Sequence, residues 1–237
     1  ELTEHRLKAD KPLLSHPEEE LIEGQFEFTN FSLRYNEDSR QVLKKINLEV
    51  KDGQKVAIVG KSGSGKKSVL NSLLGGLDFT EGELKIDGID VHDRDLRQLR
   101  QQVIMISQDP YIFKGSLRQN LDESRRFSDN QIIQALRDVG LWTRFENKGG
   151  VLGDIELSSE KLAPGEKQLI YFAKCILRKC KIILYHEATV KDPVSDYNID
   201  NLFKGKLHDV TVLMLPYRLE TLRNCNKLVV LQDGEIV

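Results

Sequence analysis

Gly60-Lys61-Ser62-Gly63-Ser64-Gly65-Lys66 lies between an apolar run, Val56-Ala57-Ile58-Val59, and an apolar set at helical spacing, Val69, Leu70, Leu73 and Leu74. The run predicts a buried strand and the set predicts a helix. Strand, glycine-rich turn and helix, in that order, is the context in which such a turn binds phosphate. Glycines admit backbone angles closed to other residues, so amide N–H groups can point inward at phosphate oxygens. A helix beginning near Gly65 adds its positive dipole end, and Lys66 is placed to reach terminal phosphates. The plainer reading is a lysine-capped turn; with Gly60, Gly65 and Lys66 all in register, the phosphate loop is the stronger one.

The loop has one fault. The pattern asks for Ser or Thr after the lysine, as a Mg²⁺ ligand, and this chain has Lys67 there. Ser68 follows, but one helical residue turns a side chain by about 100°, so Ser68 does not simply take over the metal. The loop therefore reads as a nucleotide-phosphate site lacking its metal ligand.

Working outward, the 237 residues are enough for one large domain, or a domain with a subdomain. A formal charge of −2 argues against broad electrostatic binding to nucleic acid or membrane. No apolar run is long enough to span a bilayer, and no signal peptide is visible in the sequence. Cys175, Cys180 and Cys225 lack histidines at zinc spacing and read as reduced thiols in a cytosolic setting. Residues 1–24 are polar and broken by Pro12 and Pro17, which is linker composition, so the folded domain is expected over 25–237. The apolar end at Ile236-Val237 suggests a piece of something longer.

The expected fold class is α/β, with a parallel-core sheet around the loop helix. Alternating runs from Phe26 to Tyr35 and from Val42 to Val50, with a turn at Asn36–Ser39, predict an antiparallel subdomain. Gly82–Gly88 reads as a strand and turn, and Leu96 and Leu99 mark a short helix. Val103–Ile106 is a buried strand ending at Ser107-Gln108-Asp109-Pro110, and a Gln at such an edge is able to hold Mg²⁺ or a water. From Phe113 to Val151 the pattern is helical with no return to strand, predicting a helical subdomain over about 116–160. Leu162-Ala163-Pro164-Gly165-Glu166-Lys167-Gln168 precedes a further helix, with Gly165 a possible second anion site. Strands follow at Ile182–Tyr185 and Val210–Leu215, and a closing hairpin turns at Asp233-Gly234. Tyr35 ends its strand, where an aromatic either stacks on a base or is an ordinary strand residue.

In order and spacing, these parts resemble the nucleotide-binding domain of ATP-binding cassette (ABC) transporters from Phe26 to Val237. The segment from Gln108 to Leu121 is similar to the second nucleotide-binding domain of the multidrug-resistance-associated C subfamily, which includes the sulfonylurea receptors and the cystic-fibrosis chloride channel. The resemblance implies roles. Tyr35 would stack on adenine, and Gly60, Lys61, Ser62, Gly63, Ser64, Gly65, Lys66, Lys67 and Ser68 would form the phosphate loop. Gln108 would link the metal site to the membrane domain. Leu162, Ala163, Pro164, Gly165 and Glu166 would be the signature that meets a partner's nucleotide, and Glu187 the general base after the second Walker strand.

Four positions depart from that pattern. Lys67 replaces the metal-ligating hydroxyl, and His186 replaces the aspartate that closes the second Walker strand. Ala163 replaces the signature serine, and Tyr217 replaces the switch histidine. Both protein groups that fix Mg²⁺ are thus lost, His186 becomes a group whose protonation neighbouring phosphates would favour, and Tyr217 cannot carry a near-neutral positive charge as His can. Glu187 is then either a base or a leftover carboxylate. The resemblance implies an ATP-binding, hydrolysis-impaired domain at the cytoplasmic face of a membrane, paired with another nucleotide-binding domain and joined to a transmembrane domain. The alternatives are a structural or regulatory interaction domain without nucleotide, and an active ATPase with unusual motifs.

Overall fold

A computed structural model describes residues 23–146, 152–153, 155–187 and 192–237. The expected linker, but for its last two residues, lies outside the described residues, as do Ala188 and Thr189 after the second Walker strand.

Two sheets organise the described chain. The first is antiparallel, in the order β2 (Leu43–Val50), β1 (Phe26–Arg34), β4 (Phe79–Ile86), β5 (Ile89–Asp90). The antiparallel subdomain expected from Phe26 to Val50 is therefore incomplete by itself. It recruits β4 and β5 from beyond the loop helix, and β1 becomes a central strand paired on both sides. The second sheet has the order β12 (Glu235–Ile236), β11 (Lys227–Gln232), β3 (Lys55–Val59), β10 (Thr211–Leu215), β9 (Ile182–His186), β6 (Val103–Ile106). All its pairings are parallel except β11 with β12.

The parallel strands are continuous apolar runs because both faces are covered. Ile183, Tyr185, Val212 and Met214 face a core shared with α4 (Asp129–Asp138), α6 (Pro164–Arg178) and α7 (Pro193–Lys204). Their neighbours Ile182, Leu184, Leu213 and Leu215 face a second core with the antiparallel sheet, α1 (Lys66–Ser72) and α2 (Leu96–Gln102).

The helical subdomain holds α3 (Leu117–Leu121), α4 and α5 (Thr143–Glu146). The expectation of no return to strand is corrected. β7 (Gly115–Ser116) pairs antiparallel with β8 (Glu156–Leu157), closing the subdomain at its base. Strands of two residues carry no readable period, and Phe113, at the expected helix start, is exposed. Capping boxes at Ser116/Gln119 and Ser128/Gln131 fix where α3 and α4 begin. A second correction concerns α6, which begins at Pro164. The signature residues 164–168 are its first turn and do not precede it, as proline at a first helical position allows. Among the described residues no helix is long and apolar enough to cross a membrane, and all three cysteines are free thiols.

Candidate functional site

Parallel strands bring their C-terminal ends to one edge, and the candidate residues gather there. The phosphate loop leaves β3, Gln108 follows β6, His186 and Glu187 end or follow β9, and Tyr217 follows β10.

The loop is tightly built. A Cβ on Gly60 would meet the Leu231 carbonyl oxygen at 2.1 Å, so only glycine lets the loop lie against β11. Gly65 has φ 98°, and its missing Cβ would meet Val42 O and Leu43 Cδ2 at 2.9 Å. Ser64 is buried, and its hydroxyl has no hydrogen-bond partner among the described residues, 2.9 Å from where a Gly60 Cβ would stand. A buried hydroxyl without a partner costs energy unless a ligand supplies one. Lys66 Nζ donates to Gly60 O and Lys61 O, both at 2.7 Å, and burial lowers its pKa.

Lys67 is exposed. Ser68 is buried, and its Oγ lies 2.8 Å from the Tyr35 hydroxyl, so its hydrogen bonding is used inside the fold. The same contact fixes the edge of Tyr35, whose ring remains 46% exposed. His186 is half-buried. Burial, then Lys67 and Lys66, hold its imidazole below the usual histidine range. Burial and these two cations both oppose its protonation.

Glu187 is 1% exposed. Both carboxylate oxygens are taken, by five donors. Oε2 accepts from the amides of Tyr217 (2.5 Å) and Arg218 (3.1 Å). Oε1 accepts from Thr221 Oγ1 and Arg218 Nε, each at 2.7 Å, and from Arg218 Nη2. Arg218 also pairs with Asp196 on α7. Burial works against the charged guanidinium, but these two carboxylates raise its pKa overall. Tyr217 meets Glu187 through its backbone, and its side chain is 65% exposed. Arg218, Thr221 and Asp196 had no place in the sequence-based site. The basic residue next to the switch position was the one available signal.

Gln168 is another residue that motif reading left without a role. It is fully buried. Its Nε2 donates to Ser107 O and His186 O at 2.9 Å, and Tyr185 OH donates to its Oε1 at 3.2 Å. It therefore ties α6 to the ends of β6 and β9. Lys167 Nζ reaches Asp109 at 2.9 Å, a second tie to the segment holding Gln108.

In the signature, Leu162 is buried and Ala163 exposed. Glu166 accepts from the Ala163 amide at 2.9 Å and pairs with Arg144 at 2.7 Å. Pro164 contributes no N–H. Gly165 is buried against α7, and a Cβ would meet Ser195 Cβ at 2.7 Å, so close packing explains the glycine. Among the described residues no hydrogen bond or ion pair joins residues 162–166 to the phosphate loop.

The fold and loop define a P-loop nucleotide-binding domain of the ABC type. Residues 43–190 match the family model described as "ABC transporter". Similar proteins include ATP-binding cassette sub-family C member 2 of Rattus norvegicus, 36% identical over 216 residues, which cover 90% of this chain and 14% of that protein. ABC transporter C family member 12 of Dictyostelium discoideum is 35% identical over 217 residues, 91% of this chain and 16% of that protein. ABC multidrug transporter B of Aspergillus fumigatus is 35% identical over 215 residues, 90% and 14%. The chain belongs to the ABC transporter family and is similar to nucleotide-binding domains of its C subfamily. It spans about one-seventh of the length of the first of these relatives.

Proposed function

We propose that this chain binds ATP at residues 60–68, with Tyr35 beside the base, turns it over at most very slowly, and pairs with a second nucleotide-binding domain through residues 162–166. On this reading it lies at the cytoplasmic face of a membrane and passes its nucleotide state to a transmembrane domain through the Gln108 segment. The observation carrying the proposal is the contrast between two parts of one edge. The glycine loop holds a partnerless Ser64 hydroxyl and two lysines. The carboxylate that would polarise water is saturated by Arg218, Thr221 and two amides.

ATP hydrolysis requires an oriented water and stabilised charge on the phosphates. A general base must reach the proton it takes, directly or through one water. Glu187 already accepts hydrogen bonds at both oxygens and is held by the Arg218 charge. Loss of one well-placed charge-stabilising group costs roughly a hundredfold or more in rate.

Calorimetric titration with ATP together with a phosphate-release assay tests the proposal. Saturable binding with turnover at background, unchanged in Glu187→Gln, is expected. Robust turnover abolished by Glu187→Gln would establish an active ATPase instead. Absence of binding would favour a structural interaction domain, a reading to which the folding of Lys66 onto Gly60 and Lys61 carbonyls lends some support.

A further inference from the structure

We infer that the ligand of this loop is a nucleoside polyphosphate free of divalent cation, its charge met by Lys67 and Lys66 rather than by Mg²⁺. The inference rests on the nucleotide-binding reading above and concerns the form in which the nucleotide is held.

Mg²⁺ demands oxygen ligands in near-octahedral geometry and is held by one or two carboxylates together with phosphates and water. The donor set here does not fit it. Lys67 stands at the hydroxyl position and, as an ammonium, has donors only. His186 stands at the carboxylate position and carries no negative charge. Ser68 spends its hydroxyl on Tyr35. Gln108 offers at most a neutral amide oxygen.

Nor do nearby carboxylates compensate. Glu187 and Asp196 are paired with Arg218, and Asp109 is paired with Lys167. Asp192 accepts from Ser195 Oγ and the Val194 amide. Among the described residues no group of three or more His, Cys, Asp and Glu is placed to hold a metal ion.

The cationic side of the edge is as consistent as the acidic side. Lys66 and Lys67 are the charged groups that act on His186 at the end of β9. Lys67 is exposed and has no ion pair among the described residues, which leaves its charge available. The buried Ser64 hydroxyl adds a neutral donor inside the loop. An edge with Lys67 exposed, Lys66 beside it and Glu187 paired inward attracts a polyphosphate and repels the ion that usually accompanies it.

The test is calorimetric titration of the 237-residue chain with ATP in excess EDTA and in excess Mg²⁺, for the parent, Lys67→Ser and the double variant Lys67→Ser/His186→Asp. Affinity for ATP in EDTA is expected to equal or exceed that in Mg²⁺. Lys67→Ser should weaken binding in EDTA about tenfold, a loss of about 1.4 kcal/mol. The double variant should acquire tighter binding in Mg²⁺ than in EDTA. Tenfold or greater tightening of the parent by Mg²⁺ would overturn the inference and leave nucleotide binding intact. So would an unaltered EDTA affinity in Lys67→Ser, or a double variant with the parent's metal response. Failure of the parent to bind in either condition would overturn the nucleotide reading itself. Thermal unfolding of each variant shows whether its fold is retained, and Lys67, being exposed, is a site where substitution leaves the core untouched.

Discussion

Arg218→Ala is the sharpest test of the Glu187 network. The guanidinium supplies two of five donors to a carboxylate that is 1% exposed, and it also neutralises Asp196. Removing one partner of a buried ion pair costs about 3–5 kcal/mol, because the other charge remains buried. Two features reduce that figure here. The Arg218 side chain is 28% exposed, and Glu187 keeps the two backbone amides and Thr221. A loss of roughly 2–3 kcal/mol is therefore expected. For a chain of this size each kcal/mol moves the midpoint by roughly 2–4 °C, giving a fall of about 4–12 °C. Denaturant unfolding of the parent, Arg218→Ala, Glu187→Gln and the double variant measures both the loss and the coupling. With the partner gone the second substitution should cost less, leaving a coupling of about 1–2 kcal/mol. An Arg218→Ala loss below about 0.5 kcal/mol, or an additive cycle, would show that Glu187 is not held as described. That result would return it to candidacy as a base.

Three further outcomes are expected. Because the folded-state pKa of His186 is lowered, the unfolded chain binds its proton first. Its contribution to stability is full above about pH 6.5 and declines as pH falls from there toward the folded value. Replacing it in His186→Asn should flatten the unfolding free energy over that window, and an unchanged slope would contradict the assignment. Gly165→Ala should cost about 1–3 kcal/mol through overpacking against Ser195, with Ser195→Gly restoring part of the loss in the same denaturation assay. Gln168→Leu should cost about 2–4 kcal/mol, since the Ser107 and His186 carbonyls and the Tyr185 hydroxyl lose a buried partner. Hydrogen exchange should rise at the ends of β6 and β9 if those ties are real.

The sequence made the parallel core legible because its strands are buried on both faces. Runs such as Ile182–Tyr185 and Val103–Ile106 have no polar interruption and need no partner to be recognised. The glycine turn after β3 was legible for a related reason, since Gly60 and Gly65 mark places where backbone or side-chain atoms come too close for a Cβ. β7 and β8 were not legible, because two residues show no alternation and their pairing joins positions 41 apart in the register Ser116–Glu156 and Gly115–Leu157 to within a residue. The environment of Glu187 was hidden by distance as well. Its partners Arg218 and Thr221 lie 31 and 34 residues away, and nothing local marks them as its ligands. Motif reading gives the residue type at a site but not where its lone pairs point.

Two unusual features of this edge depend on each other. A general base acts on a water held near phosphates, and a divalent ion ordinarily helps to place those phosphates and their charge. At this edge the proposed metal-ligand positions hold Lys67 and His186, while the candidate base is turned inward onto Arg218. Each arrangement makes the other less costly. Without a metal, an unpaired Glu187 beside incoming phosphates would add like-charge repulsion, and its pairing with Arg218 removes that charge from the edge. With Glu187 neutralised, Lys66 and Lys67 meet phosphate with less competition from a neighbouring carboxylate. Binding and turnover then separate physically: restoring metal ligands at 67 and 186 without disturbing Arg218 should recover metal dependence of binding while leaving hydrolysis near background. If that double variant hydrolysed ATP at a robust rate, the Arg218 pairing would have to open readily, and the stability loss in Arg218→Ala would be correspondingly small. The two measurements therefore constrain one another, and a large loss on Arg218→Ala together with fast turnover in the metal-restored variant would contradict the account.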